Sequence, residues 1–240
     1  MKDLNLIELT DLEKRYGKKE ALTGINLTIG RGKIIGLLGP NGSGKTTLIK
    51  LLNGLLQPTS GEIKVNGKAP GVDSKKIISY LPDKMYFADW MKIADLMDFF
   101  EDFYEDFDRK KAEGMCETLK INTEAKIKSL SKGNKEKVQL VLVMCRKAQL
   151  YLLDEPIAGV DPAARDFILD TILNNYNEEG TVIISTHLIA DIDEVIFIKE
   201  GNIVTYKSAD DLREESGKSI DALFREIFHT DVYRGGDEAC

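Results

Sequence analysis

The sequence predicts an α/β fold with an inserted helical segment. Short apolar runs bounded by glycine alternate with helix-length patterns in the first third of the chain and again after residue 147, which is typical of strands covered by helices. A glycine-rich turn joins one apolar strand to a helix at residues 39–46. Between the two α/β parts lies a stretch whose apolar residues recur at helical spacing.

Composition limits the classes of function. The 240 residues are 42% hydrophobic and 30% charged, which is an ordinary globular balance. The net charge of −7 argues against broad contact with nucleic acid or anionic lipid. The longest apolar run, residues 138–145, is too short to cross a bilayer, and the N-terminus lacks a signal-peptide layout. Three scattered cysteines show no metal-ligand spacing and suggest a reducing compartment.

The first α/β part begins with predicted strands. The stretches LNLIELTDL, INLTI and KIIGLLG either alternate or run apolar between glycines, as strands do. The stretch TTLIKLLNGLL follows with helical periodicity, and Gln57-Pro58 ends it. Two further strands are then predicted in GEIKVNG and KKIISYLP.

A helical segment is predicted over residues 83–131. Its clearest helix runs from Ile93 to Phe107 and has one apolar and one acidic face. The acidic face comprises Asp95, Asp98, Glu101, Asp102, Glu105 and Asp106. A solvated surface is the simpler interpretation of these carboxylates, and a docking surface for a basic partner is the alternative.

The α/β alternation resumes after Lys147. QLYLLD and TVIIST predict buried strands, and the helix between them, PAARDFILDTILNNYNEEG, ends at Gly180. VIFIKEGNIVTYK predicts a hairpin around Gly201-Asn202. Two short helices and the polar tail GGDEAC are expected to close the chain.

The turn at residues 39–46 reads GPNGSGKT and fits the phosphate-loop pattern G-x-x-x-x-G-K-[ST]. Its glycines allow successive backbone N–H groups to face phosphate oxygens, and the following helix N-terminus favours an anion. Lys45 would reach the β- and γ-phosphates, and the Thr46 hydroxyl is a hard oxygen ligand for Mg²⁺. A chance glycine-rich turn is the alternative, and the strand and helix on either side argue against it.

The stretch QLYLLDE would bring two acids to the same edge of the sheet. A buried strand delivers Asp154 to the carboxyl end, where open α/β sheets bind ligands. Asp154 can enter a Mg²⁺ coordination shell, and Glu155 can orient or deprotonate an attacking water. A strand that simply ends in two acids is the alternative, so this motif gains its weight from the phosphate loop.

Together these motifs resemble the nucleotide-binding subunit of ATP-binding cassette (ABC) transporters, over roughly residues 4–230. They occur in the family's order as Tyr16, GPNGSGKTT, YLPDK, LSKGN, YLLDEP, AGVD and STH. The resemblance implies a P-loop NTPase core with a mixed sheet, flanking helices and an antiparallel N-terminal β part. It makes residues 1–230 one ABC ATPase domain, with a core at 1–82 and 132–230, a helical subdomain at 83–131, and a flexible tail at 231–240.

The resemblance assigns roles to individual residues. Nucleotide-binding roles fall on Tyr16, Gly39, Asn41, Gly42, Ser43, Gly44, Lys45, Thr46 and Thr47. Tyr16 would stack on the adenine, although a strand aromatic beside a turn is the alternative. Metal-binding roles fall on Thr46, Asp83 and Asp154. Catalytic roles fall on Glu155 and His187, which would position the water.

The stretch LSKGN, residues 130–134, stands where the family usually has Leu-Ser-Gly-Gly-Gln. By resemblance Ser131, Gly133 and Asn134 would contact the γ-phosphate of ATP bound to the opposite subunit. Ser131 is also a natural cap for the helix that starts there. Lys132 replaces a glycine and would either add charge near the phosphate or face solvent, with solvent favoured.

Two other positions extend the resemblance. Asp83 takes the place of a glutamine in the loop between core and helical subdomain, so it would contact metal or water with a side chain one methylene shorter. Gln139 is not expected to replace that glutamine, because it lies within a helix pattern. Asp161 matches the loop that contacts the partner across the dimer, and it can also cap the helix beginning at Pro162.

The implied function is ATP hydrolysis with Mg²⁺. Two like or unlike subunits would close head to tail around two ATP molecules and act on separate transmembrane permease subunits, from the cytoplasmic face of the membrane and without nucleic acid. LSKGN resembles exporter and antibiotic-resistance ATPases, and the chain length leaves no room for the C-terminal regulatory domain of many importer subunits. The alternatives are a soluble relative in translation, repair or assembly, and a nucleotide-binding module in which Asp83 has weakened catalysis.

Overall fold

The structure, a computed structural model, describes residues 5–157, 162–186 and 192–229. Its strands are β1 (Asn5–Tyr16), β2 (Lys19–Gly30), β3 (Ile34–Leu38), β4 (Ser60–Val65), β5 (Ile78–Leu81), β6 (Leu150–Leu153), β7 (Thr181–Ile184), β8 (Glu194–Lys199) and β9 (Asn202–Ser208). Its helices are α1 (Lys45–Leu52), α2 (Val72–Ile77), α3 (Ile93–Phe103), α4 (Arg109–Thr118), α5 (Lys132–Met144), α6 (Pro162–Asn175), α7 (Ala209–Ser216) and α8 (Ile220–His229).

Two sheets form the α/β part. A three-stranded antiparallel sheet has the order β2-β1-β4. A six-stranded sheet has the order β5-β6-β7-β3-β8-β9, parallel except for the last strand. The residues of β3, β6 and β7 are all buried, as expected of central strands covered on both faces. The predicted α/β fold with an antiparallel N-terminal part is therefore confirmed.

The parallel strands place the chemically important turns at one edge. The chain leaves β3 into the phosphate loop, leaves β5 into the loop containing Asp83, and leaves β6 into Asp154 and Glu155. Because β5, β6, β7 and β3 are neighbours in register, these carboxyl ends lie side by side. The fold thus collects residues from distant parts of the sequence at the edge where α/β sheets bind ligands.

Two predicted elements were wrong in their boundaries. The predicted strand KKIISYLP is divided, since α2 continues to Ile77 and only residues from Ile78 form β5. The helix predicted to reach Phe107 ends at Phe103, because Tyr104 takes an extended conformation. Phe107 is nevertheless buried, through a β-bridge to Arg146 rather than through helical spacing. Helical spacing correctly indicated that Phe107 is buried, but it wrongly predicted that this residue belongs to the helix.

The helix α5 lies between two apolar clusters. One side of it contributes Val138, Val141 and Leu142 to a cluster built with α3 and α4. The other side contributes Leu140 and Val143 to the cluster beneath the six-stranded sheet. Burial on both sides explains why the middle of this helix reads as a continuous apolar run. It also makes α5 the element that connects the helical segment to the edge of the sheet where the phosphate loop lies.

A buried arginine ties the helical segment to β5. The guanidinium of Arg146 donates from Nε to Asp106 Oδ1 at 2.8 Å and lies 3.7 Å from the ring centroid of Tyr104. It also donates to the carbonyls of Lys76 and Ile78. This arrangement compensates a charge that is only 2% exposed. Within the described residues, no helix has both the length and the apolar composition needed to cross a membrane.

Candidate nucleotide-binding site

The phosphate loop requires its glycines for two different reasons. Gly42 and Gly44 have φ of +83° and +114°, conformations that side chains disfavour. At Gly39 the obstacle is space, since a Cβ there would lie 2.2 Å from the carbonyl oxygen of Ile198 and 2.6 Å from Ser43 Oγ. The sequence motif therefore corresponds to a tightly packed turn, as the strand–helix context predicted.

The N-terminus of α1 is open to an anion. No side chain caps it, and no acidic residue lies in its first turn. Helices usually place a capping oxygen or a carboxylate at this position, because the first N–H groups are unpaired and carry partial positive charge. Leaving both out suits a helix start whose N–H groups bind phosphate. Of the predicted loop residues, Asn41 and Gly42 are exposed, and Thr46 and Thr47 are half-buried.

Lys45 is held at the floor of the loop. Its Nζ donates to the carbonyls of Gly39 at 2.8 Å and Pro40 at 3.1 Å, and lies 3.8 Å from Glu155 Oε1. Burial lowers the pKa of this ammonium group, and the carboxylates of Glu155 and Asp154 oppose the shift. The charge is thus already placed beside the predicted catalytic carboxylate. Phosphate oxygens can replace the loop carbonyls as its acceptors.

Asp154 has the environment of a metal ligand. Its Oδ1 accepts hydrogen bonds from Thr46 Oγ1 and Ser185 Oγ, both at 3.1 Å, whereas its buried Oδ2 has no partner among the described residues. Burial is the main cause that raises the pKa of this carboxyl group, and the hydrogen bonds from Thr46 and Ser185 counteract it. A fully buried carboxylate with one unpaired oxygen beside a threonine hydroxyl fits the hard oxygen ligands that Mg²⁺ prefers.

Glu155 is positioned by its backbone. Its φ of +51° is unusual for a residue with a side chain, and its N–H donates to Ser185 Oγ at 2.6 Å. The carboxylate, about one third exposed, lines a cavity of about 420 Å³ together with Gly39, Lys45 and Ser185. The predicted general base therefore faces the same space as the phosphate-loop lysine.

Sequence reasoning missed Ser185 as a site residue. Its hydroxyl accepts from the backbone N–H of Glu155 and donates to the carboxylate of Asp154, so it holds both acidic residues. It is 2% exposed and follows β7. The motif STH contained the signal, but only its histidine was given a role. Because β6 and β7 are adjacent strands, the contact depends on their pairing and not on sequence spacing.

Tyr16 ends β1 opposite Lys19, beside the turn to β2, which is the structural position given as the alternative. Its ring is 47% exposed, with Lys14 Nζ 5.3 Å from the centroid. An exposed ring at a strand end remains accessible to a base, so the two interpretations are compatible. The roles predicted for Asp161 and His187 fall on residues outside those the structure describes.

The signature stretch lies at the start of α5, as predicted. Ser131 is the N-cap, and its Oγ accepts a hydrogen bond from the Asn134 N–H at 3.3 Å. Ser131, Lys132 and Gly133 are exposed, and the side chain of Lys132 points to solvent with 80% of its surface accessible. A Cβ at Gly133 would meet no atom within 4 Å. None of the described hydrogen bonds and ion pairs joins this stretch to the phosphate loop of the same chain.

Asp83 lies near the acidic end of β6. Its side chain is exposed, and its charge helps to raise the pKa of Asp154 and of Tyr80, although burial is the main cause in both. It lines a cavity of about 340 Å³ together with Glu155 and Gln139. This location is compatible with the predicted metal or water contact. It also brings into the site a glutamine that the sequence had set aside.

Comparison with known proteins agrees with this geometry. The family model described as ABC transporter matches residues 22–158, which is more than half of the chain. The chain belongs to the ABC transporter family. The ABC assignment therefore rests on the matched residues as well as on the motifs.

Relatives and solved structures extend the match. The chain is 30% identical over 211 residues to the SkfA peptide export ATP-binding protein SkfE of Bacillus subtilis, covering 84% of this chain and 88% of SkfE. It is 29% identical over 225 residues to the linearmycin resistance ATP-binding protein LnrL of the same organism, covering 88% of this chain and 72% of LnrL. A solved ATP-binding subunit of an ABC transporter superposes with a TM-score of 0.80 and 25% identity, covering 92% of this chain and 98% of that one.

These findings establish the coarse function. ABC domains bind and hydrolyse ATP, so the protein is an ATPase and an ATP-binding subunit of the ABC transporter type. ABC ATP-binding subunits partner with transmembrane permease components. The resemblance to peptide-export and antibiotic-resistance types is confirmed at the level of sequence similarity.

Proposed function

We propose that two copies of this ABC subunit, or one copy and a related subunit, close head to tail around two ATP molecules. One observation carries the proposal. Lys45, Asp154 and Glu155 of the same chain lie together at the edge of the sheet. Ser131 and Gly133 are exposed, and none of the described hydrogen bonds or ion pairs joins them to the phosphate loop of that chain. A second subunit supplies what the first lacks, and ATP joins them.

In each site the γ-phosphate lies against the loop N–H groups and the Lys45 ammonium group. The oxygen of the attacking water forms a bond to the γ-phosphorus while Glu155 accepts a proton from that water. At the same time the bond between the γ-phosphorus and the oxygen bridging the β- and γ-phosphates breaks. Lys45 and the N–H groups stabilise the charge that spreads over the phosphoryl oxygens. Bound Mg²⁺, held by Asp154, Thr46 and Asp83, would neutralise charge on the β- and γ-phosphates. The family resemblance adds Asp161 as a contact across the dimer and His187 as a residue that would position the water.

The experiment that tests this scheme is the Glu155→Gln substitution. The amide cannot accept the proton, so ATP turnover is expected to fall by roughly 10²–10⁴-fold while ATP still binds. ATP should then accumulate a dimer, measured as molar mass by light scattering on a size-exclusion column. The matched control is Glu179→Gln, an exposed carboxylate at the other edge of the sheet. A Glu155→Gln protein that stays monomeric with ATP, where the parent dimerises, contradicts the scheme.

The membrane partner is proposed to dock on an aromatic surface, defined here as Tyr86, Trp90, Phe99 and Phe103. All four side chains are exposed, Trp90 and Phe103 by 70% and 67%, and the rings of Phe99 and Phe103 lie 4.4 Å apart between centroids. Contiguous exposed apolar groups mark interaction sites. Tyr86 also lines a cavity of about 510 Å³ shared between the α1 end and the helical segment. Part of the neighbouring acidic face is already neutralised, since Arg109 pairs with Asp98 and Glu101.

Exporter function and a place on the inner face of the membrane belong to the same proposal. SkfE is named for peptide export and LnrL for linearmycin resistance, and both names support an efflux role. Phe103→Asp is expected to abolish co-purification with a co-expressed transmembrane permease subunit and to leave ATPase activity unchanged. Val204→Asp, at an exposed position of β9, is the control. If the Phe103 variant still co-purifies with the permease subunit, the aromatic surface is not the docking site.

A further inference from the structure

Gln139 is a buried amide without a partner. It lies in the middle of α5, is only 4% exposed, and its Nε2 makes no hydrogen bond to any described residue. Its neighbours on the helix, Val138 and Leu140, are apolar and pack in the two clusters. An apolar residue would fill such a position without leaving a buried donor unpaired, which proteins normally avoid. The amide therefore needs an explanation beyond packing.

The cavity in front of this amide supplies one. Gln139 lines the space of about 340 Å³ that Asp83 and Glu155 also line. The carboxylate of Asp83 makes no hydrogen bond or ion pair with any described residue, whereas Glu155 already has Lys45 at 3.8 Å. Gln139, which has an unpaired donor, and Asp83, which has an unpaired acceptor, thus line one cavity beside the catalytic edge. A carboxylate offers only acceptors, and an amide NH₂ offers two donors, so the pair is complementary.

From its sequence, Gln139 was set aside because it lies within a helix. That helical position is what places Gln139 at the cavity lined by Asp83. Helix α5 starts at the signature stretch and crosses beneath the end of β5, so its third turn reaches the loop that follows that strand. A residue of this helix is fixed more firmly than a residue of the loop. Asp83 is shorter by one methylene than the glutamine usual at its place, and Gln139 supplies an amide from the opposite wall.

We propose that Gln139 is a positioning residue that donates a hydrogen bond from its carboxamide to the carboxylate of Asp83. The bond holds Asp83 in the orientation in which it contacts Mg²⁺ or the attacking water. This inference rests on the proposed metal or water contact of Asp83. Gln139 itself touches neither nucleotide nor metal.

The test is a double-mutant cycle between positions 83 and 139. Gln139→Leu keeps the volume and removes the donor, and it is expected to lower kcat about tenfold, as loss of an outer-shell partner does, with little change in KM for ATP. The same substitution in a chain that already carries Asp83→Gln is expected to add no further loss. Contacting residues show such non-additivity, whereas independent sites add.

Two readouts separate positioning from a structural role. Removing an unpaired buried amide should leave the melting temperature of the nucleotide-free protein unchanged or raise it, whereas a structural amide would lower it. The Mg²⁺ concentration that half-saturates binding of a fluorescent ATP analogue should rise in Gln139→Leu and not in the Asp83→Gln background. The control is Gln149→Leu, a partly buried glutamine at the opposite end of β6 that pairs with Arg31.

Three results would overturn the proposal: wild-type kcat in Gln139→Leu, additive losses in the double variant, or a lowered melting temperature that accounts for the loss of activity. Gln139→Met gives the same cycle if the leucine variant does not fold. If Asp83→Ala leaves the Mg²⁺ dependence of nucleotide binding unchanged, the metal contact of Asp83 is refuted. The double-mutant cycle measures the coupling between positions 83 and 139 independently of that result.

Discussion

The starts of α1 and α5 are both helix N-termini for which we propose phosphate binding, but they differ in what surrounds them. At α1, Gly39 and Gly44 are required by their own chain, because a Cβ at either would lie within 2.7 Å of a backbone oxygen. At α5, a Cβ at Gly133 would meet no atom within 4 Å, and Ser131 caps the helix through a hydrogen bond of 3.3 Å. Neither helix has an acidic residue in its first turn.

This difference separates requirements of folding from requirements of assembly. The glycines of the phosphate loop satisfy both, since the same compact backbone that the fold demands also cradles phosphate. No contact within its own chain requires a glycine at position 133. Glycine in a helix lowers helix stability by about 1 kcal/mol relative to alanine. A surface that retains this cost is explained by close approach of another molecule, which supports the trans role proposed for the signature stretch.

The largest effect is expected from Gly39→Ala. The new Cβ overlaps the carbonyl oxygen of Ile198, so the turn must shift, and we expect a loss of about 1–3 kcal/mol in the free energy of unfolding. ATP binding to the monomer should be lost with it. Urea unfolding and titration with a fluorescent ATP analogue measure the two effects. A variant of wild-type stability would show that the loop has more freedom than its packing indicates.

An intermediate effect is expected from Ser131→Ala. Loss of a hydrogen bond to a charged group is worth about 1.5–3 kcal/mol, so turnover should fall by roughly 10–100-fold. Affinity of the monomer for ATP should be unchanged, because the serine is proposed to contact the nucleotide bound to the partner. Steady-state hydrolysis and equilibrium binding distinguish the outcomes. Equal loss of monomer binding would place the signature in the site of its own chain.

The smallest change in stability is expected from Gly133→Ala. Alanine fits the open space and is the better helix former, so the protein should gain up to about 1 kcal/mol. Its turnover should nevertheless fall, since the methyl group would stand between the helix start and the partner's phosphate. Thermal unfolding and ATP hydrolysis are measured on the same preparation. A variant that is more stable and fully active would remove the evidence for a close trans approach.

Local sequence patterns predicted much of the fold and the position of the phosphate loop within it. The phosphate loop, the buried strand that precedes Asp154 and the cap at Ser131 were all predicted correctly in position. Each depends on a few consecutive residues and on their strand or helix context. The predicted end of α3 was wrong. Phe107 forms a β-bridge with Arg146, a contact between distant residues that the periodicity of the sequence cannot reveal.

Ser185 and Gln139 show what lies beyond local patterns. Ser185 acquires a role only because β7 pairs with β6, which places its hydroxyl between Asp154 and the backbone of Glu155. Gln139 was set aside for lying within a helix, although the crossing of that helix beneath β5 brings it to the cavity of Asp83. Neither relation has a fixed spacing along the chain.

The sequence by itself determined the phosphate loop, the order of the motifs and the α/β class, since turns and strand ends are set by neighbouring residues. Tertiary structure alone decided which groups share a site: the lysine at 3.8 Å from Glu155, the unpaired oxygen of Asp154 and the exposed signature. The physical reason is that hydrogen bonds and burial act over a few ångströms in space. Thr46 and Asp154, whose side chains are joined by a hydrogen bond at this edge of the sheet, are 108 positions apart in the chain.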